Sequence, residues 1–267
     1  VEQVAFPNDP GLCGVSMIIW RLLDSPLAAG EGGLAEKAGI AIHSLDDAAV
    51  AMQTLARRDL QAGAVGFKLM IADYYPADAR AAEAAFEAAL RSPKPVKAFS
   101  AVRDYLLDKC LDVAAEADAS VAVHTGYWGD FRQFDPKNLL GVALHRRDVR
   151  FDLFHLGMPM IRDAQLIGKT CPNVTLNLTW CPIISQVQTC RALDELIDLV
   201  PANKIIAFGG DYRTCVQKVW GHLVMARECV ATVLANRIDS GDLNWEESIR
   251  LARMWFYENP ARVYRLE

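Results

Sequence analysis

The sequence predicts an α/β protein built from repeated strand–helix units with parallel strands. Three observations predict it. Short aliphatic and β-branched runs alternate with longer, charged, helix-prone segments along the 267 residues. The short runs are almost continuously apolar, as strands covered on both faces must be. The segments between them are long enough for helical crossovers, which parallel strands require.

In chain order the strand-like runs fall at about 14–20, 63–71, 120–124, 149–155, 173–180 and 204–209, with 40–43 a weaker seventh candidate. Ser44-Leu-Asp-Asp opens a helix to about Gln61: a serine at the N-cap accepts a free backbone N–H, and acids favour the positive end. Residues 78–91 are alanine-rich, with high helix propensity. A helix over 98–117 follows the breaker Ser92-Pro93-Lys94-Pro95. Asp135-Pro136 is an N-cap followed by proline at the first helical position, and leads a helix to about Arg147. Helices over 159–171, 185–199 and 214–237 follow strands in turn; a last one, 244–257, is expected to stop at Asn259-Pro260. Gly30-Glu-Gly-Gly reads as a loop, so 1–267 is expected to form a single barrel domain.

Composition removes several classes. Hydrophobic residues make up 52%, enough for a sizeable core, and the net charge of −5 is spread over interspersed charges with no basic stripe for nucleic acid. No apolar run approaches the roughly 18 residues of a membrane span. Seven cysteines, an odd number without C-x-x-C, argue against a disulfide framework or a cysteine-based zinc motif and for a reducing cytoplasm. The expected partner is a small-molecule substrate; a homo-oligomer stays open. Without G-x-G-x-x-G or a P-loop, an open nucleotide-binding sheet loses its main signature; without G-x-S-x-G a serine hydrolase does too.

The strand ends favour a (β/α)8 TIM-barrel-like fold. VGFKLM ends near Lys68, VAVH at His124, FDLFH at His155, TLNLTW at Trp180 and IIAFGGD at Asp211. A parallel barrel gathers such ends at one mouth, where barrel enzymes hold their chemistry. His124, His155 and Asp211 there could bind a divalent metal, with zinc the natural candidate and one coordination position left for water. Such an ion lowers the pKa of that water and polarises a carbonyl, while Asp211 or His155 shuttles the proton. The plainer alternative is that each histidine only bonds to a backbone carbonyl. Trp180 could wall the pocket or fill the core; Arg213 could bind an acidic substrate or cap a helix. Trp128 and Arg132 lie in the loop after His124, His145 on a solvated helix face, His43 before an N-cap, and His222 in a helix where it packs or caps.

VAVHTG, FDLFHLG, NVTLNLTW, IIAFGGDY and the C-terminal ENPARVYRL, in that order, resemble the amidohydrolase superfamily and within it the amidohydrolase-2 group, over roughly residues 63–266. NLTWCPIIS and FGGDY are similar to members distantly related to uronate isomerases. The resemblance implies that His124 is the strand-five metal ligand, His155 the strand-six ligand or substrate-polarising group, and Asp211 the strand-eight ligand and proton shuttle. It also implies an H-x-H or E-x-H pair at the end of strand one, which this sequence lacks; the N-terminal part of the barrel is therefore expected to be missing. Lys68 could be a carboxylated bridging lysine, a Schiff-base amine, a cation for a substrate carboxylate, or an ammonium paired with Asp211. The implied activity is metal-dependent hydrolysis of a C–N or C–O bond in a small polar substrate. Decarboxylation, sugar-acid isomerisation, a metal-free lyase using Lys68, or a non-catalytic truncated barrel are the alternatives.

Overall fold

The computed structural model describes residues 17–19, 34–70, 74–76, 78–91, 100–212 and 216–266. They divide into two compact units, the first containing residues up to Val121 together with Gly141–Arg150, the second Ala122–Leu140 with Phe151 onward.

In the first unit β1 (Met17–Ile19) pairs in parallel with β2 (Gly66–Met70), Ile19 opposite Lys68. Helix α1 (Leu34–Ala38) packs on α2 (Leu45–Gln61), and α2 and α3 (Ala79–Arg91) both pack on α4 (Ser100–Glu116). Leu45, Ala48, Ala49, Met52, Leu55 and Ala56 are the buried stripe of α2, spaced at the helical period. Its start is the capping box expected from Ser44: the Asp47 N–H donates to Ser44 Oγ at 3.1 Å, and the Ser44 N–H donates to Asp47 Oδ2 at 2.9 Å. Residues 40–43 form no strand. Their run is too short to be a buried strand, and the His43 N–H is already bonded to Asp47 Oδ2 at 3.0 Å, at the helix entrance.

Strand β3 (Ser120–His124) begins in the first unit and ends in the second. Helix α5 (Lys137–His145) is likewise divided, Gly141 onward belonging to the first unit, and the second continues with β4 (Arg150–Phe154), α6 (Ile161–Thr170), β5 (Val174–Asn177), α7 (Cys181–Ile184), α8 (Gln186–Leu199), β6 (Ile205–Ile206) and α9 (Val216–Asp239). Strands β4, β5 and β6 are parallel neighbours, with Phe154 opposite Asn177 and Asn177 opposite Ile206. Their buried residues, Phe151, Leu153, Val174, Leu176, Ile205 and Ile206, form the middle of the core. Lys204, half-buried just before β6, donates to the carbonyls of Gly168 and Cys171 at the end of α6, a cation on the negative end of a helix.

Helix α10 (Trp245–Arg253) does not stop at Asn259-Pro260. It widens into a π turn over Met254–Glu258 and continues as α11 (Asn259–Tyr264). A proline is tolerated where the helical ladder is already interrupted, and the π turn provides the interruption. Asn259 is a latch: its Nδ2 donates to the carbonyls of Ala202 and Ile205 at 2.9 and 2.7 Å.

Candidate metal centre

Every group of the centre lies in the second unit. His124 ends β3 and His155 follows β4, and both are buried. One residue beyond His124, Thr125 ties the two ends together. Its hydroxyl donates to the Phe154 carbonyl at 2.7 Å and accepts from the Gly157 N–H at 3.0 Å. Gly126 follows because nothing larger fits: at φ +77°, a Cβ would stand 2.2 Å from the Met158 carbonyl oxygen. The repeated His-x-Gly endings of the two strands are thus two halves of one joint.

His155 Nδ1 lies 2.9 Å from the Thr179 carbonyl oxygen. A carbonyl only accepts, so Nδ1 carries the proton and, in neutral His155, Nε2 holds a lone pair. Nε2 faces His124 Nδ1 at 3.0 Å and Asp211 Oδ2 at 3.5 Å. One ligand atom from each of His124, His155 and Asp211 lies within 4.8 Å of the others. Zinc bonds of about 2.0–2.1 Å place neighbouring tetrahedral ligands roughly 3.3 Å apart, a value between the His124–His155 and His155–Asp211 separations. This nitrogen-and-oxygen donor set fits a divalent ion. Asp211 is the partly exposed member, its side chain 26% accessible, and so joins the buried imidazoles to solvent.

Backbone strain collects at the same place. Six described non-glycine residues have positive φ, and four of them are His155, Leu156, Trp180 and Asp211. This region costs an L-residue of order 1–2 kcal/mol, and such residues concentrate at functional sites.

Trp180 walls the centre. Its ring stacks on His155, centroids 4.5 Å apart, and its Nε1 donates to the Gly210 carbonyl at 3.0 Å. Trp128 lies 5.7 Å from Trp180 and 6.1 Å from His124 and is half exposed; Phe134 meets His124 edge-on at 5.1 Å. Arg132 is turned back onto Asp130, with N–O distances of 2.8 Å. Lys68 is buried on β2 in the first unit. Arg213 lies outside the described residues. His145 is exposed at the end of α5. His222 is buried against Phe208, 5.0 Å between centroids, and burial lowers its pKa to about 4.

Sequence reasoning missed Thr125, Asp152, Asn177 and Tyr264. The signal was present for Asp152, an acid inside the apolar run FDLFH; a buried carboxylate in a strand needs partners.

Strand ends that bring two imidazoles and a carboxylate together on a parallel α/β fold could hold a divalent metal ion. Residues 33–266 match the Amidohydro_2 family, described as Amidohydrolase, and the chain belongs to that family. It is 24% identical over 225 residues, 76% of this chain, to Protein fluG of Emericella nidulans. The fold is the barrel fold of two solved structures. A proposed metal-dependent hydrolase from Lactobacillus casei matches 93% of this chain at TM-score 0.72 and 15% identity. Glucuronate isomerase from Caulobacter crescentus matches 88% at TM-score 0.73 and 15% identity. The chain spans 26% of the length of the fluG protein and 65% and 54% of those two chains. Among the described residues no helix is long and apolar enough to cross a membrane.

Proposed function

We propose that this chain is a metal-dependent hydrolase acting on a C–N or C–O bond of a small polar substrate, with His124, His155 and Asp211 as ligands of a divalent ion, zinc by preference. The observation that carries the reading is the Nδ1–H bond of His155 to the Thr179 carbonyl. It turns the Nε2 lone pair of the neutral ring toward His124 and Asp211, as a ligating histidine requires.

Such an ion supplies Lewis acidity and a bound water of lowered pKa. The residues supply the rest. His124 and His155 hold their ring nitrogens in place, fixed by the Thr125 joint and the Thr179 carbonyl. Asp211, at the boundary with solvent, takes a proton from the attacking water and returns it to the leaving group. Trp180 and Trp128 form an apolar wall that excludes water from one side and offers flat faces to a substrate ring. Lys68 is assigned to a substrate carboxylate, and Arg213 to an acidic group of the same substrate. Residues 1–267 are read as one barrel domain, and the five described free thiols, Cys110, Cys171, Cys181, Cys190 and Cys229, fit a reducing cytoplasm.

A second reading is isomerisation of a sugar acid, favoured by the likeness to glucuronate isomerase. Fold similarity alone cannot separate the two reactions.

Elemental analysis of purified protein and of His124→Ala and Asp211→Ala variants tests the proposal. About one equivalent of a divalent ion, lost in both variants, supports it; screening amides, esters, lactones and uronates against the loaded protein then assigns the reaction. Folded wild-type protein that takes up no divalent ion on reconstitution overturns it.

A further inference from the structure

The carbonyl that sets the His155 tautomer is itself the end of a buried hydrogen-bond chain. Asp152, on β4, is wholly buried, and so is Thr179; Asn177 at the end of β5 is nearly so. Tyr264, in the last turn of α11, donates its hydroxyl to Asp152 Oδ2 at 2.5 Å across 112 residues of sequence. Asn177 Nδ2 donates to the same oxygen at 2.8 Å. Asn177 Oδ1 accepts both the Thr179 N–H at 3.0 Å and the Thr179 Oγ1–H at 2.6 Å. The Thr179 carbonyl accepts from His155 Nδ1.

Each link has one sense. Asp152 Oδ2 already accepts the Tyr264 hydroxyl, so the Asn177 amide turns its NH2 toward it. Its carbonyl oxygen is then directed at Thr179, whose N–H is a donor that cannot reverse. The flipped amide would set NH2 against N–H and oxygen against carboxylate. Burial pushes the Tyr264 hydroxyl well above the usual phenol range, helped by the neighbouring carboxylate, so it stays a donor throughout ordinary pH. The segment after β6 leaves room for the chain: a Cβ on Gly209 would lie 2.0 Å from Thr179 Oγ1 and 3.3 Å from Asn177 Oδ1.

We propose that Asp152, Asn177 and Tyr264 are positioning residues of the metal centre, a one-way chain from the C-terminal helix that aims the Thr179 carbonyl at His155 Nδ1 and so keeps the His155 Nε2 lone pair turned to the ligand position. They touch neither the ion nor the substrate; they act through Thr179 on the tautomer and direction of one imidazole. The inference rests on the proposed metal centre, but its first consequence, the tautomer, is a property of the metal-free protein.

The test uses the full chain in two measurements. Nitrogen NMR of the metal-free protein reads the tautomer of His155, and titration with zinc against a chromophoric chelator reads affinity. The variants are Asn177→Leu, which breaks the chain in the middle, and Tyr264→Phe, which removes one hydroxyl and keeps the packing should Asn177→Leu fail to fold. Gln165→Met is the control, a buried side chain of the same unit, whose Nε2 donates to the Ala192 carbonyl at 3.2 Å. Wild type and the control are expected to hold His155 as Nδ1–H. Tyr264→Phe, and Asn177→Leu where it folds, are expected to mix the tautomers and bind zinc about 10–100-fold more weakly. An unchanged tautomer with unchanged zinc affinity in Tyr264→Phe overturns the proposal and leaves the chain a purely structural network. If wild type binds no zinc but its tautomer still responds to the variants, the positioning role stands and the metal reading fails.

Discussion

Replacing Thr125 by valine removes one hydroxyl from the joint between the two histidine-bearing strand ends and keeps nearly the same volume. The hydroxyl is wholly buried and makes two bonds, to the Phe154 carbonyl and from the Gly157 N–H. Valine recovers the desolvation of the hydroxyl but strands a buried N–H, and an unmade buried bond costs about 1–3 kcal/mol. With the weakened Phe154 carbonyl added, the loss is expected to be about 2–3 kcal/mol, a large share of the roughly 5–15 kcal/mol that holds a native protein together. Urea unfolding should show a lower midpoint at unchanged slope, and the melting temperature should fall by about 4–12 °C for a chain of this size. Thr125→Ser keeps both bonds and loses only a methyl, about 1 kcal/mol. A Thr125→Val protein that loses less than the Thr125→Ser protein refutes the reasoning: the hydroxyl would not be what joins the strand ends.

Gly209→Ala places a Cβ 2.0 Å from Thr179 Oγ1; the hydroxyl must swing away from Asn177, and zinc affinity by chelator competition should fall at least as far as in Tyr264→Phe. Unchanged affinity would mean that Thr179 does not transmit to His155. His222 has a folded-state pKa near 4 against an ordinary 6.5. Between those values the unfolded chain takes the proton and the folded chain does not, so stability falls as pH falls from 6.5 toward 4, by up to about 3 kcal/mol. His222→Phe should lack this part of the decline, and urea midpoints at pH 7 and pH 4.5 that fall in parallel for both proteins would contradict it. Reconstitution with zinc at a hundredfold excess over its dissociation constant should add about 2.7 kcal/mol of stability, seen as a rise in melting temperature that Asp211→Ala abolishes; an equal rise in that variant would place the ion elsewhere.

Much of the scaffold was legible because it is written in short-range patterns. Ser44 with Asp47 is a helix start whatever surrounds it, and the burial of Leu45, Ala48, Met52 and Leu55 follows from their spacing. The one strand that fails, 40–43, failed for a local reason, and the one stop that fails, Asn259-Pro260, for a tertiary one. The first leads straight into a helix start, where its His43 N–H is bonded to Asp47; the second sits where a π turn has already opened the helical ladder and where Asn259 is held by the Ala202 and Ile205 carbonyls.

The sequence by itself determined that His124 and His155 stand at the ends of two buried strands and that an aspartate follows a third, because apolar runs and their breaks are local properties of the chain. Only the tertiary structure decided what those residues can do. The Nδ1–H tautomer of His155 comes from a carbonyl 24 residues away, and the orientation of that carbonyl is tied to a tyrosine 112 residues from Asp152 in sequence. Hydrogen bonds between distant segments have no periodicity to read. They exist because burial leaves each polar group only the partners that packing brings within reach.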